Sequence, residues 1–170
     1  PLGQAATWHP ELVEHGAHIS AIEAAATGVN WTFAPMLDVT RDPRWGRISE
    51  GSGEDVFLSV EIAKARVLGF QGEDLTATDT VLACAKHFPG HGRTLEDSHL
   101  TQPVVDAPLD VLKETDMAPF RAAIAAVVAL LPYLYVTRAK AKRLDRIEQQ
   151  LPDAPAQTPD CSGGRPGTVA

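Results

Sequence analysis

The chain has 170 residues, 44% hydrophobic and 22% charged, enough for one domain with a real core and a composition matching that of soluble globular proteins. Its formal net charge of -7 argues against nucleic acid or an anionic membrane as partner. Two cysteines, Cys84 and Cys161, give no disulfide framework, and no apolar run approaches the roughly 20 residues needed to cross a bilayer.

The chain starts with Pro1 rather than Met, so its amino end reads as cut, and both a cytoplasmic and a secreted origin stay open. Thr7-Trp8-His9-Pro10-Glu11 predicts a helix start, with Thr7 as cap and Pro10 in the first turn. Leu12, Val13, Ala17, Ile19, Ile22, Ala25 and Ala26 then give a broad apolar face, ending near Thr27-Gly28. His15 and His18 lie three apart on this helix and could ligate a metal, although half-buried helix histidines are far commoner. Val29 to Met36 is a strand candidate stopped by Pro35.

Leu37 to Arg47 follows, carrying Arg41, Arg44, Arg47, Asp38, Asp42 and Trp45. These residue types allow two readings. One is a surface loop with solvated ion pairs, each worth roughly 0–1 kcal/mol. In the other, a planar guanidinium forks onto vicinal hydroxyls and Trp45 offers a flat face to a sugar ring. Glu50 to Asp55 is a turn, with Glu54 and Asp55 at the positive end of the next helix. That helix spans Val56 to Phe70, with Phe57, Val60, Ala63, Val67 and Phe70 expected on its apolar face.

Val81-Leu82-Ala83-Cys84-Ala85 suits a buried strand. It delivers Lys86 and His87 into a loop broken by Pro89, Gly90 and Gly92, along which hang His91, Arg93, Glu96, Asp97 and His99. A buried strand feeding a Gly-rich loop of titratable groups looks like the working end of an enzyme. Pro103 and Pro108 frame a connector, and Leu109 to Ala126 predicts another helix. Strands alternating with helices, with polar loops after the strand ends, indicate an α/β fold with a parallel sheet. A complete (β/α)8 barrel takes roughly 250 residues, so this chain can supply less than half of one.

Composition shifts near Val128. Residues 1–127 hold 9 Lys and Arg against 18 Asp and Glu, whereas 128–170 hold 6 against 4. This predicts a domain over 1–127 followed by an unrelated segment. In that segment Leu130 to Val136 could pair as a strand, Ala139 to Leu151 could form a basic helix, and the Pro/Gly/Ser-rich 152–170 reads as disordered.

Residues 1 to about 127 resemble the N-terminal (β/α)8-type domain of family 3 glycoside hydrolases. FAPMLDVTRDPRWGRISEGSGED, Phe33 to Asp55, looks like the β-glucosidase and β-xylosidase side of that family. KHFPGHGRTLEDSHL, Lys86 to Leu100, looks like the β-N-acetylglucosaminidase side. The resemblance implies that Arg47, Lys86 and His87 hold hydroxyls of the sugar at the cleaved bond. It implies that Asp97 and His99 form the general acid/base pair on a mobile loop, in a retaining hydrolysis that needs no metal or organic cofactor. The family's nucleophile is an aspartate in a Ser-Asp setting on a later strand, and no residue here matches it. Another sugar-binding aspartate is expected on strands before Pro1. The segment VVALLPYLYVTRAKAKR has no counterpart in the family pattern, which suggests a truncated or frame-shifted product, catalytically silent alone.

Three rivals stand beside this reading. One is a non-catalytic sugar-binding or partner module that uses Arg47, Lys86 and His87. Another is a zinc site from His87, His91 and His99, against which Lys86 and Arg93 would repel a cation. The last is a purely structural barrel fragment whose open sheet should aggregate or borrow the missing remainder of the barrel.

Overall fold

The computed structural model describes residues 1–128 together with Lys140 and Lys142. The chain divides into two units, Pro1–Tyr135 and Val136–Ala170, and the fold below is that of the first. The strand expected over 130–136 and the Pro-rich tail lie outside the described residues. So does the basic helix, apart from Lys140 and Lys142, which are both helical.

A short helix α1, Leu2–Ala5, precedes α2, Pro10–Ala26. Pro10 opens α2 as expected, but the cap is His9, whose Nδ1 accepts the Leu12 N–H at 3.2 Å. The expected broad apolar face of α2 is a narrow one: Val13, Ala17 and Ala21 are buried, while Leu12, Ile19 and Ile22 are exposed. A four-residue spacing of small side chains lets another helix come close. That helix is α3, Val56–Gln71, capped by Asp55, whose Oδ1 accepts the Leu58 N–H at 2.7 Å. At the crossing, a Cβ on Gly69 would stand 2.3 Å from the Glu14 carbonyl oxygen and 2.7 Å from the Ala17 Cβ. Only glycine fits there.

α3 is buried on two sides. Leu58, Ile62 and Ala65 join Ala5 and Val13 in one core cluster. Ala63 and Val67 join Leu37, Phe120 and Ala123 in a second, flanked by Ala83 and Val127. Of the face expected from Phe57, Val60, Ala63, Val67 and Phe70, Ala63 and Val67 are buried and Val60 and Phe70 half-buried, and the correction falls on Phe57. Phe57 is 69% exposed, because a helix held between two neighbours buries a stripe centred between its two contact lines.

The two segments expected to be strands lie side by side. Leu82 N–H donates to the Asn30 carbonyl (2.9 Å), Thr32 N–H to Leu82 (2.9 Å), Cys84 N–H to Ala34 (2.7 Å) and Leu37 N–H to Lys86 (2.7 Å). Parallel bridges form at Trp31–Leu82 and Met36–Lys86, each isolated, so no continuous strand is completed among the described residues. Five positions separate Trp31 from Met36 and four separate Leu82 from Lys86, so the first segment carries an extra residue. Pro35, inside it, has no N–H to donate.

The helix expected over Leu109–Ala126 is two helices: α4, Leu109–Glu114, and a second over 118–128, separated by a turn at 115–117. Pro119 could not continue the first helix, since it lacks an N–H and would clash with the preceding turn. The break also turns Asp116 inward, where it is fully buried against Arg93.

Candidate active site

The Met36–Lys86 bridge sets the site. It brings Asp38, two residues past one segment, against His87 and the loop after the other. Asp38 is the hub. Its Oδ1 accepts the His91 N–H at 2.9 Å, and its Oδ2 accepts the His87 N–H at 3.2 Å and lies 2.8 Å from His87 Nδ1. A buried carboxylate needs such partners. With Nδ1–H turned to Asp38, the free Nε2 of His87 is left to meet a ligand. The Lys86–His87 peptide is cis. The Lys86 side chain has no hydrogen bond or ion pair among the described residues, leaving its ammonium available.

The loop 87–94 lies directly on the first segment. Arg41 N–H donates to the Gly92 carbonyl at 2.8 Å, and a Cβ on Gly92 would stand 2.2 Å from the Val39 carbonyl oxygen. Arg93 anchors the far end, donating from Nε to Asp116 (2.7 Å) and from Nη2 to Thr115 (2.8 Å).

The arginine-rich segment splits its two readings residue by residue. Arg44 forks onto Asp42 in an exposed pair at 2.9 and 2.7 Å, and those bonds bring the Asp42 carboxyl down to about 2. Arg47 is 6% exposed. Its Nε and Nη2 bind both oxygens of Glu50 at 2.8 Å, and its Nη1 donates to Ser98 Oγ at 3.0 Å. This fork holds Glu50 below the ordinary carboxylate range and Arg47 above its own. Of the two readings left open for this segment, the one in which Trp45 offers a flat face to a sugar ring does not hold. Trp45 is fully buried, its Nε1–H donates to His91 Nδ1 at 2.9 Å, and its ring meets His91 edge-on. The indole positions the loop and offers no face to a ligand.

Asp97 and His99 pair directly. Asp97 Oδ1 accepts the His99 backbone N–H at 2.9 Å and lies 2.8 Å from His99 Nδ1. These contacts, the backbone one first, hold the Asp97 carboxyl below its usual value. His99 itself is open to solvent, its side chain 64% exposed. The Arg47–Ser98 bond ties the middle residue of this Asp-Ser-His run to the buried guanidinium.

The three-histidine metal set is not brought together. Among the described residues, the group with ligand atoms within 4.8 Å of one another is Asp38, His87 and His91. Its chemistry suits hydrogen bonding better than a cation. Trp45 donates to His91 Nδ1, so the neutral ring carries its own proton on Nε2, the atom a metal would need. His87 Nδ1 already faces Asp38, and burial first, with smaller contributions from His87 and Arg47, pushes the His91 imidazole away from its charged form.

Sequence reasoning missed Asp38 as the organiser. The available signal was its position, an acidic residue directly after the apolar run Phe33 to Leu37.

A loop of paired histidines and carboxylates thus lies beside a buried arginine, and comparison with known proteins gives the family. Residues 1–140 match the model for the glycosyl hydrolase family 3 N-terminal domain. The chain belongs to that family, whose N-terminal domain is a TIM-barrel-type fold. The periplasmic β-glucosidase of Salmonella typhimurium is 43% identical over 91 residues, which cover 54% of this chain and 12% of that protein. A β-hexosaminidase of Xylella fastidiosa is 37% identical over 117 residues, covering 68% of this chain and 32% of that protein. Among solved structures, a β-glucosidase from Listeria innocua in complex with isofagomine is similar with TM-score 0.66 at 36% identity, over 74% of this chain and 18% of that one. The chain thus spans about a third or less of the length of these relatives.

Proposed function

We propose that this chain carries the sugar-gripping and proton-transferring part of a β-glycosidase site, acting on terminal β-linked glucosides or N-acetylglucosaminides. In this reading Arg47, Lys86 and His87 hold hydroxyls of one pyranose ring through charge-assisted hydrogen bonds. His99 gives its Nε2 proton to the glycosidic oxygen as that bond breaks, and later takes a proton from the attacking water. Asp97 accepts from Nδ1 and stabilises the imidazolium, the role an aspartate plays beside histidine in hydrolase triads. The observation that carries this reading is the Arg47–Ser98 bond at 3.0 Å, which holds the Asp97–His99 pair next to the buried guanidinium. Relatives named for β-glucosides and for hexosaminides support both substrate classes.

The retaining course requires a carboxylate nucleophile, and among the described residues none is assigned that role. The chain by itself therefore binds sugar without turning it over. The two parallel bridges support a partial (β/α)8 arrangement over 1–127, completed by a further part of the barrel, with 128–170 as a separate segment. Incubating the chain with aryl β-glucoside and aryl β-N-acetylglucosaminide should release no phenol. Titration with glucose and N-acetylglucosamine should shift the His87 and His99 ring resonances, and Arg47→Met should abolish those shifts. Robust turnover would overturn the assignment of silence, and unperturbed resonances would overturn the sugar site.

A further inference from the structure

A second charged group lies outside this constellation. Arg66, on α3, is only 6% exposed, yet no carboxylate pairs with it among the described residues. Its one side-chain bond runs from Nη2 to the neutral Gln4 Oε1, at 3.3 Å. A guanidinium has five N–H donors, and burying one without an anion is costly. Burial accordingly pushes Arg66 below its ordinary value.

The guanidinium lines a cavity of about 280 Å³ between α1, α2, α3 and the segment 33–36, at the small end of ligand pockets. Gln4, Ser20, Glu50, Phe70 and Lys86 share its wall. Glu50 is already paired by the two bonds from Arg47, so the charges that line the cavity without a carboxylate partner among the described residues are those of Arg66, Lys86 and the Pro1 amino group.

We propose that this cavity is a binding site for a small carboxylate anion, gripped by Arg66. The two coplanar oxygens of a carboxylate match the guanidinium fork. The Gln4 side-chain amide supplies a neutral donor, and Val13 and Phe70 accept a short alkyl body. Lys86 lines this cavity and also belongs to the sugar-gripping set, whereas Arg66 and Gln4 belong to neither that set nor the Asp97–His99 pair, so the proposal and its test rest on Arg66 and not on the glycosidase reading.

Thermal melts of the full chain in sodium acetate and in sodium chloride at equal ionic strength test it. Acetate is expected to raise the melting temperature along a saturating curve that chloride does not reproduce. In Arg66→Met the apparent affinity for acetate should fall at least tenfold, on the order of 1.4 kcal/mol or more. Arg66→Lys, which keeps the charge and loses the fork, should fall between. Equal responses to the two salts, or an acetate response that survives Arg66→Met, would overturn the site. Should Arg66→Met fail to fold, the Nε–H resonance of Arg66 in the unaltered chain decides: it should move with acetate and ignore chloride, and a resonance indifferent to acetate overturns the proposal.

Discussion

At the scale of single residues, the site is a set of side chains held by partners distant in sequence. Ser98 is the most specific of these, since its hydroxyl alone joins the Asp97–His99 pair to Arg47. Ser98→Ala removes a hydrogen bond worth about 1 kcal/mol. Amide exchange over 94–101 should then speed up roughly fivefold, with little change in α2 and α3. His91 sets a pH dependence. Burial holds its imidazole below the ordinary value, so the unfolded chain takes up the proton first as pH falls. The stability it contributes is whole above about pH 6.5 and is lost as pH drops through the lower folded value. Melting temperature should therefore decline from roughly pH 7.5 to 5.5, and His91→Gln, which still accepts from Trp45, should flatten that part of the curve. The Asp97–His99 pair was anticipated from the family resemblance, since a spacing of two residues does not by itself ensure contact. The Asp38–His87 and Asp38–His91 pairings span 49 and 53 residues, and no local pattern encodes them. Trp45 shows the same limit, since an indole beside arginines reads alike whether it faces solvent or is sealed under a loop.

At the scale of elements, helix starts were legible where local chemistry decides them: Pro10 at the first turn of α2, Asp55 capping α3. Helix faces were less so. The count of neighbours, two for α3, decides how wide a buried stripe becomes, and periodicity cannot report it. The break between α4 and the helix over 118–128 was written locally in Pro119, but the apolar spacing of Leu112, Met117, Phe120 and Ile124 masked it. Two glycines make element-scale predictions because backbone occupies the space a side chain would need. Gly69→Ala would press the α2–α3 crossing apart, and Gly92→Ala would lift the site loop from Val39. Each should cost roughly 1–3 kcal/mol, measured by urea denaturation. Gly92→Ala should also weaken sugar binding, whereas Gly69→Ala should leave it intact in the protein that remains folded.

At the scale of the whole molecule, the described residues leave much apolar surface open. Trp31 and Phe33, stacked edge to face at 5.0 Å, are 55% and 65% exposed, and Leu82 and Phe88 are also exposed. Such surface, beside a sheet reduced to two isolated bridges, favours association. Sedimentation of the purified chain should show concentration-dependent assembly and hydrophobic-dye binding, and a strictly monomeric species with a sharp, reversible melt would contradict this. The α/β class was readable from the alternation of apolar runs and helical periods. The completeness of the sheet was not, because strand pairing depends on partners elsewhere in sequence. The central claim is that Arg47, Lys86, His87 and the Asp97–His99 pair close around one sugar ring. The most direct test is a structure of the chain soaked with N-acetylglucosamine: the account predicts the ring within hydrogen-bonding distance of Arg47, Lys86 and His87 with His99 Nε2 facing the anomeric oxygen, and a sugar bound elsewhere, or none at millimolar concentration, would contradict it.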